Sequence, residues 1–132
     1  MKKMFVDTSG WYGFMRKEDP SHAAIKKIIH EWAARLVTTN FVLDETLTLV
    51  RARAGHALAV HAGDTLRDPS LVELLRVFPE DEENAWSLFV KHKDQDFSYT
   101  DCTSFSVMHR LGLETVLSTD HHFQQAGFHR EP

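Results

Sequence analysis

Apolar residues fall into two kinds of run along this chain: short clusters, and longer stretches where they recur every three or four positions. Met4, Phe5 and Val6 form the first cluster and predict a strand over about residues 3–7. "TSGWYGFMRKED" follows as a short helical or turn region that Pro20 closes. In "SHAAIKKIIHEWAARL" the positions Ala24, Ile25, Ile28, Ile29 and Trp32 have helical spacing, with Ser21 as the expected N-cap. "RLVTT" predicts a second strand over about residues 35–38. "NFVLDETLTLVRARAG" predicts a helix capped by Asn40, with Arg51 and Arg53 near its C-terminal end and Gly55 stopping it.

"HALAVHAGDTLRD" continues as another helix toward Pro69. "LVELLRVF", eight residues long and ending at Pro79, predicts a strand. "EDEENAWSLFVKHKD" opens with acids and closes with lysines, the polarity a helix dipole favours. "SYTDCTSFSVMHRLG" predicts a helix ended by Gly112, "ETVLSTD" a further strand, and "HHFQQAGF" a short turn with room for a final strand. Strands alternating with helix pairs imply an α/β fold whose mostly parallel sheet is covered on both faces. No repeat, linker or low-complexity tract interrupts the 132 residues, so one domain is expected over 1–132.

Charge sharpens the picture. A net charge of −4 argues against coating nucleic acid through bulk positive charge, but a metal-dependent nuclease must itself concentrate acids. The lone Cys102 excludes an internal disulfide and fits a reducing compartment, and no apolar run has the length of a membrane span or signal sequence. A cytoplasmic protein with no membrane partner is the expectation.

Parallel sheets bind their ligands outside the carboxyl ends of the strands. Asp7 ends the first strand and Asp120 the last, while Glu45 and Asp101 lie in the first turns of helices that begin on that same edge. Each has an ordinary explanation. Asp7 suits an N-cap, Asp101 pairs with Ser98 as a capping box, and Asp120 suits a turn. Glu45 is harder to explain, since it sits between Leu43 and Leu47 on an apolar helix. Four like charges brought to one edge are unfavourable unless a cation offsets them or their pKa values rise. Hard oxygen donors of this kind suit Mg²⁺ or Mn²⁺, ions that support displacement at phosphorus. Thr8 and Ser9, Ser98 and Thr100, and Ser118 and Thr119 flank the acids and could orient them, although Ser and Thr also favour caps and turns.

Other features carry less. "DHH" at 120–122 looks like a metal tripod, but adjacent histidines without a second His-bearing helix do not make a zinc site. Cys102, Trp32 and Trp86 are expected in the core, and Trp11 and Tyr12 beside Asp7 as contacts for substrate or a dimer mate. Arg16, Lys17, Arg51 and Arg53 are candidate phosphate contacts or solvated helix ends, and Asp94 and Asp96 read as a solvated charge run. No Gly-rich phosphate-binding motif is present.

Together, "MFVDTSGWYGF", "TTNFVLDETLTLVRARAG", "DFSYTDCTSFSVM" and "VLSTDHHFQQAGF" resemble the four motifs of PIN-domain ribonucleases, more narrowly the VapC-like toxins of toxin–antitoxin pairs. The resemblance spans nearly the whole chain in the family's order. It implies a PIN-like α/β/α sandwich and a Mg²⁺- or Mn²⁺-dependent endoribonuclease. Asp7, Glu45, Asp101 and Asp120 correspond to the family's acidic quartet, with Thr8 and Thr100 at its hydroxyl positions. It further implies an RNA substrate, a homodimer and a small DNA-binding antitoxin. Alternatives are a housekeeping RNA-processing nuclease and, from another class, a non-catalytic metal-binding or receiver-like interaction module. The receiver reading wants an acidic pair after strand one, where this chain has "TSG".

Overall fold

The short apolar clusters become strands and the periodic stretches helices in the computed structural model, which describes residues 1–132. The order is β1 (Met4–Val6), α1 (Thr8–Met15), α2 (His22–Glu31), β2 (Leu36–Thr39), α3 (Asn40–Ala54), α4 (His56–Leu66), β3 (Val72–Leu75), α5 (Pro79–Lys91), α6 (Tyr99–Leu111), β4 (Thr115–Leu117), α7 (His122–Gln125) and β5 (His129–Glu131). The final strand is thus real. All five strands are parallel, in the spatial order β3-β2-β1-β4-β5. Central β1 has Phe5 opposite both Val37 of β2 and Val116 of β4.

This order determines where helices and crevice lie. From β1 the chain steps outward to β2 and β3, then returns past β1 to β4 and β5. Right-handed crossovers therefore place α1–α4 on one face and α5–α7 on the other. The direction reverses between β1 and β4, the switch point at which such sheets open a crevice at their carboxyl ends. β1 and β4 are buried along most of their length, and Met4, Phe5, Val6, Val116 and Leu117 belong to one apolar core with Trp11, Ile25, Ile29, Phe105 and Phe123. No helix is long and apolar enough to cross a membrane.

Two close contacts hold the helices in place. A Cβ on Gly10 would lie 2.7 Å from the backbone carbonyl of Leu117, so glycine lets α1 approach the end of β4. Gly10→Ala is expected to cost about 2–3 kcal/mol, because the obstructing atom is backbone and cannot rotate away. Across the sheet, Arg110 of α6 donates twice to Asp81 of α5, at 2.8 and 2.9 Å. Asp81 also accepts from the Phe78 amide at 2.8 Å, and its side chain is only 2% exposed. The Arg110 guanidinium holds the Asp81 carboxyl below the usual carboxylate range, so the pair stabilises the fold above that range and loses its contribution as pH falls through it. Arg110→Ala strands a buried charge. We expect a loss of about 3 kcal/mol in urea unfolding at pH 7, near the low end for buried pairs because Arg110 stays partly hydrated.

Several sequence expectations are corrected. Thr39, one residue earlier than Asn40, caps α3 by accepting from the Val42 amide at 3.2 Å. Asn40 instead accepts from the Val77 amide at 2.8 Å, tying α3 to the segment before α5. Ser21 occupies the α2 cap position without a side-chain cap bond. Trp11 is fully buried and donates to Thr38 Oγ1 at 3.2 Å, so it is closed to substrate or a second chain. Trp86 is 58% exposed, because α5 buries Asp81 and Ala85 and turns Trp86 outward. Cys102 is buried as expected, and burial pushes its thiol up to about 11.

Candidate active site

β1 and β4 end side by side, and Asp7 follows β1 directly. Its carboxylate does cap α1, Oδ1 accepting from the Gly10 amide at 3.1 Å. The same oxygen accepts from Ser9 Oγ at 2.8 Å, and Oδ2 accepts from Ser118 Oγ at 3.0 Å. Ser118 comes straight after β4 and also receives the Asp120 amide at 3.2 Å. Ser9 receives the Thr119 amide at 2.9 Å. Two serines thus clamp Asp7 and the Asp120 turn into one unit.

Glu45 and Asp101 arrive on helices. Thr8 Oγ1 donates to Glu45 Oε1, joining the second turn of α3 to the residue after Asp7. Asp101 completes the expected capping box, Ser98 Oγ accepting its amide at 2.9 Å and its Oδ2 accepting the Ser98 amide at 3.0 Å. Capping and site-building are not alternatives here. The caps fix the carboxylates at helix starts that the topology delivers to the crevice. Thr100 differs from Thr8: its carbonyl receives Thr103 Oγ1 at 2.7 Å, and no hydrogen bond joins its own hydroxyl to an acid.

Electrostatics register the convergence. Burial, with the nearby charge of Asp120, pushes the Asp7 carboxyl up to about 7. Asp101 is also raised, chiefly by burial and then by Asp120 and Glu45. Two buried acids raised by burial and by neighbouring carboxylates at a crevice make this cluster the candidate functional site.

His122 joins the cluster, contrary to the weak weight its sequence context carries. Its amide donates to Asp120 Oδ1 at 3.0 Å, curling the chain after Asp120. Its Nδ1 then lies 3.0 Å from Asp101 Oδ2 and 3.7 Å from Asp120 Oδ1. Ligand-type atoms of Asp101, Asp120 and His122 all lie within 4.8 Å of one another. Carboxylates dominate the donor set, and a hard divalent cation would offset both the burial and the Asp120 charge that raise Asp7, so the residues present fit such an ion.

The surroundings are divided. Arg16 and Arg53 lie 5.4 and 5.5 Å from the Tyr12 ring centroid, and Arg16 also donates to Tyr12 Oη at 2.8 Å. Arg51 lines a groove between α3 and α4 with His56 and Arg67, while Lys17 is exposed. Asp94 and Asp96 are exposed. A concavity lined by Lys2, Lys3 and Glu73 among others includes none of the four acids.

A PIN-domain family model matches residues 4–129. The 23S rRNA-specific endonuclease VapC20 of Mycobacterium tuberculosis is 37% identical over 128 residues, covering 95% of each chain. The crystal structure of that organism's VapC20, described as a sarcin–ricin-loop-cleaving toxin, superposes with a TM-score of 0.90 at 35% identity over 96% of each chain. The DNA-bound VapBC structure from Salmonella typhimurium shares the fold, with a TM-score of 0.72 at 16% identity over 99% of this chain and 98% of that one.

Proposed function

The chain belongs to the PIN-domain family, and from that premise we propose that it is an endoribonuclease of the VapC type that hydrolyses RNA phosphodiester bonds with a divalent metal, Mg²⁺ or Mn²⁺. The observation that carries this reading is the serine-clamped Asp7, drawn into one electrostatic cluster with Glu45, Asp101 and Asp120.

In this reading Asp7, Glu45, Asp101 and Asp120 would hold the ion, which would supply water activation and charge neutralisation at the scissile phosphate. Ser9 and Ser118 keep both Asp7 oxygens directed, leaving no rotamer search when the phosphate arrives. Thr8 does the same for Glu45, and the Ser98 and His122 amides for Asp101 and Asp120. Arg53, beside Tyr12, would supply positive charge for flanking phosphates that the acids would otherwise repel, whereas Arg16 is already paired with Glu18.

The relative's activity supports 23S rRNA as substrate, with the sarcin–ricin loop as the site of cleavage. A loop offers the splayed, single-stranded bases that sequence-specific RNA recognition uses. A small DNA-binding antitoxin and a second copy of the chain are the expected partners, and the cytoplasm the expected location. Primer extension on 23S rRNA from ribosomes treated with the purified protein and Mn²⁺ should show one discrete stop within that loop. Stops scattered over the rRNA, or none, would remove the substrate assignment.

A further inference from the structure

His122 is the one nitrogen donor among the clustered acids, and its placement is built in. The Asx-type bond from its own amide to Asp120 turns the chain, so the ring faces back toward Asp101. Edge-on packing against Phe97, with centroids 5.9 Å apart, limits ring rotation. Only 20% of its side chain is exposed, whereas His121 points to solvent. The separation of 3.0 Å between Nδ1 and Asp101 Oδ2 matches the spacing of neighbouring donors around a small divalent ion, about 3 Å for bonds of about 2.1 Å at right angles.

Resting on the metal-dependent reading above, we infer that His122 Nδ1 is a ligand alongside Asp101 and Asp120, and that this nitrogen makes the centre select Mn²⁺ over Mg²⁺. Mg²⁺ binds oxygen almost exclusively and gives up water reluctantly, so a fixed imidazole adds little to its affinity. Mn²⁺ accepts oxygen and nitrogen together. Asp101 Oδ2, which accepts the Ser98 amide at 3.0 Å, is the oxygen that faces Nδ1.

Pulsed EPR of Mn²⁺ bound to the full chain tests this directly. The wild type should show ¹⁴N coupling that changes to the ¹⁵N pattern when the histidines are ¹⁵N-labelled. His122→Gln should lose the coupling and weaken Mn²⁺ binding in calorimetry about tenfold, while Mg²⁺ affinity, read by competition, changes less than twofold. His121→Gln should retain the coupling. Mn²⁺ bound to the wild type without nitrogen coupling, or an unchanged Mn²⁺/Mg²⁺ ratio in His122→Gln, would overturn the inference and leave the acidic metal centre standing. Failure of the wild type to bind Mn²⁺ at all would overturn both.

Discussion

Asp7→Asn should reduce RNA cleavage by at least about 10³-fold, equivalent to roughly 4 kcal/mol of transition-state stabilisation, with the fold intact. Asparagine keeps the shape, still caps α1 through its carbonyl oxygen, and is a preferred capping residue. What it removes is the charge that the serine clamp holds at the switch point. Loss of activity therefore separates charge from geometry, which an alanine variant would not do. Single-turnover cleavage measured beside far-UV circular dichroism checks both halves, and near-full activity in the variant would remove Asp7 from the machinery.

The second large effect concerns stability without metal. Asp7 binds its proton up to about pH 7 in the folded chain, where burial is the main cause, but only to about 3.8 when unfolded. Between those values the native state holds more protons than the unfolded state, so stability falls as pH rises. The contribution is fully present below about pH 4 and lost through pH 7, a loss of order 4 kcal/mol from this group. Asp101 is raised and acts in the same direction. Metal-free wild type should thus unfold at lower urea at pH 8 than at pH 5.5. Asp7→Asn should flatten that dependence and be the more stable protein at pH 8. Mn²⁺ should restore the wild type at pH 8, because an ion bound only by the native state offsets the repulsion. A wild type equally stable at both pH values without metal would show that the acids do not strain the fold.

The behaviour of individual residues shows what the sequence could reveal. Asp7 and Asp120 were legible because a parallel sheet sends strand ends to one edge, and both acids end predicted strands. Glu45 stood out because a carboxylate between two leucines needs a reason to be there, and Thr8 supplies one. His122 was not legible as a partner of Asp101. Adjacent histidines lack ligand spacing along the chain, and only the amide bond to Asp120 brings one ring back over the cluster. The tryptophans defeated the pattern for a related reason. α1 presses Trp11 against Thr38 where sequence suggests a free surface, and α5 buries a paired aspartate where sequence suggests Trp86. A buried acid paired from another helix, as Asp81 is by Arg110, cannot be read from hydropathy.

If the acidic cluster holds a divalent ion with which water cleaves RNA, a sarcin–ricin-loop oligonucleotide carrying a 2′-deoxy nucleotide at the cut remains a substrate. The expected result is cleavage in Mn²⁺ that stops with EDTA and resumes when Mn²⁺ is returned, because neither the 2′-hydroxyl nor any metal-independent base is required. Cleavage that persists in EDTA, or that the missing 2′-hydroxyl abolishes, would contradict it.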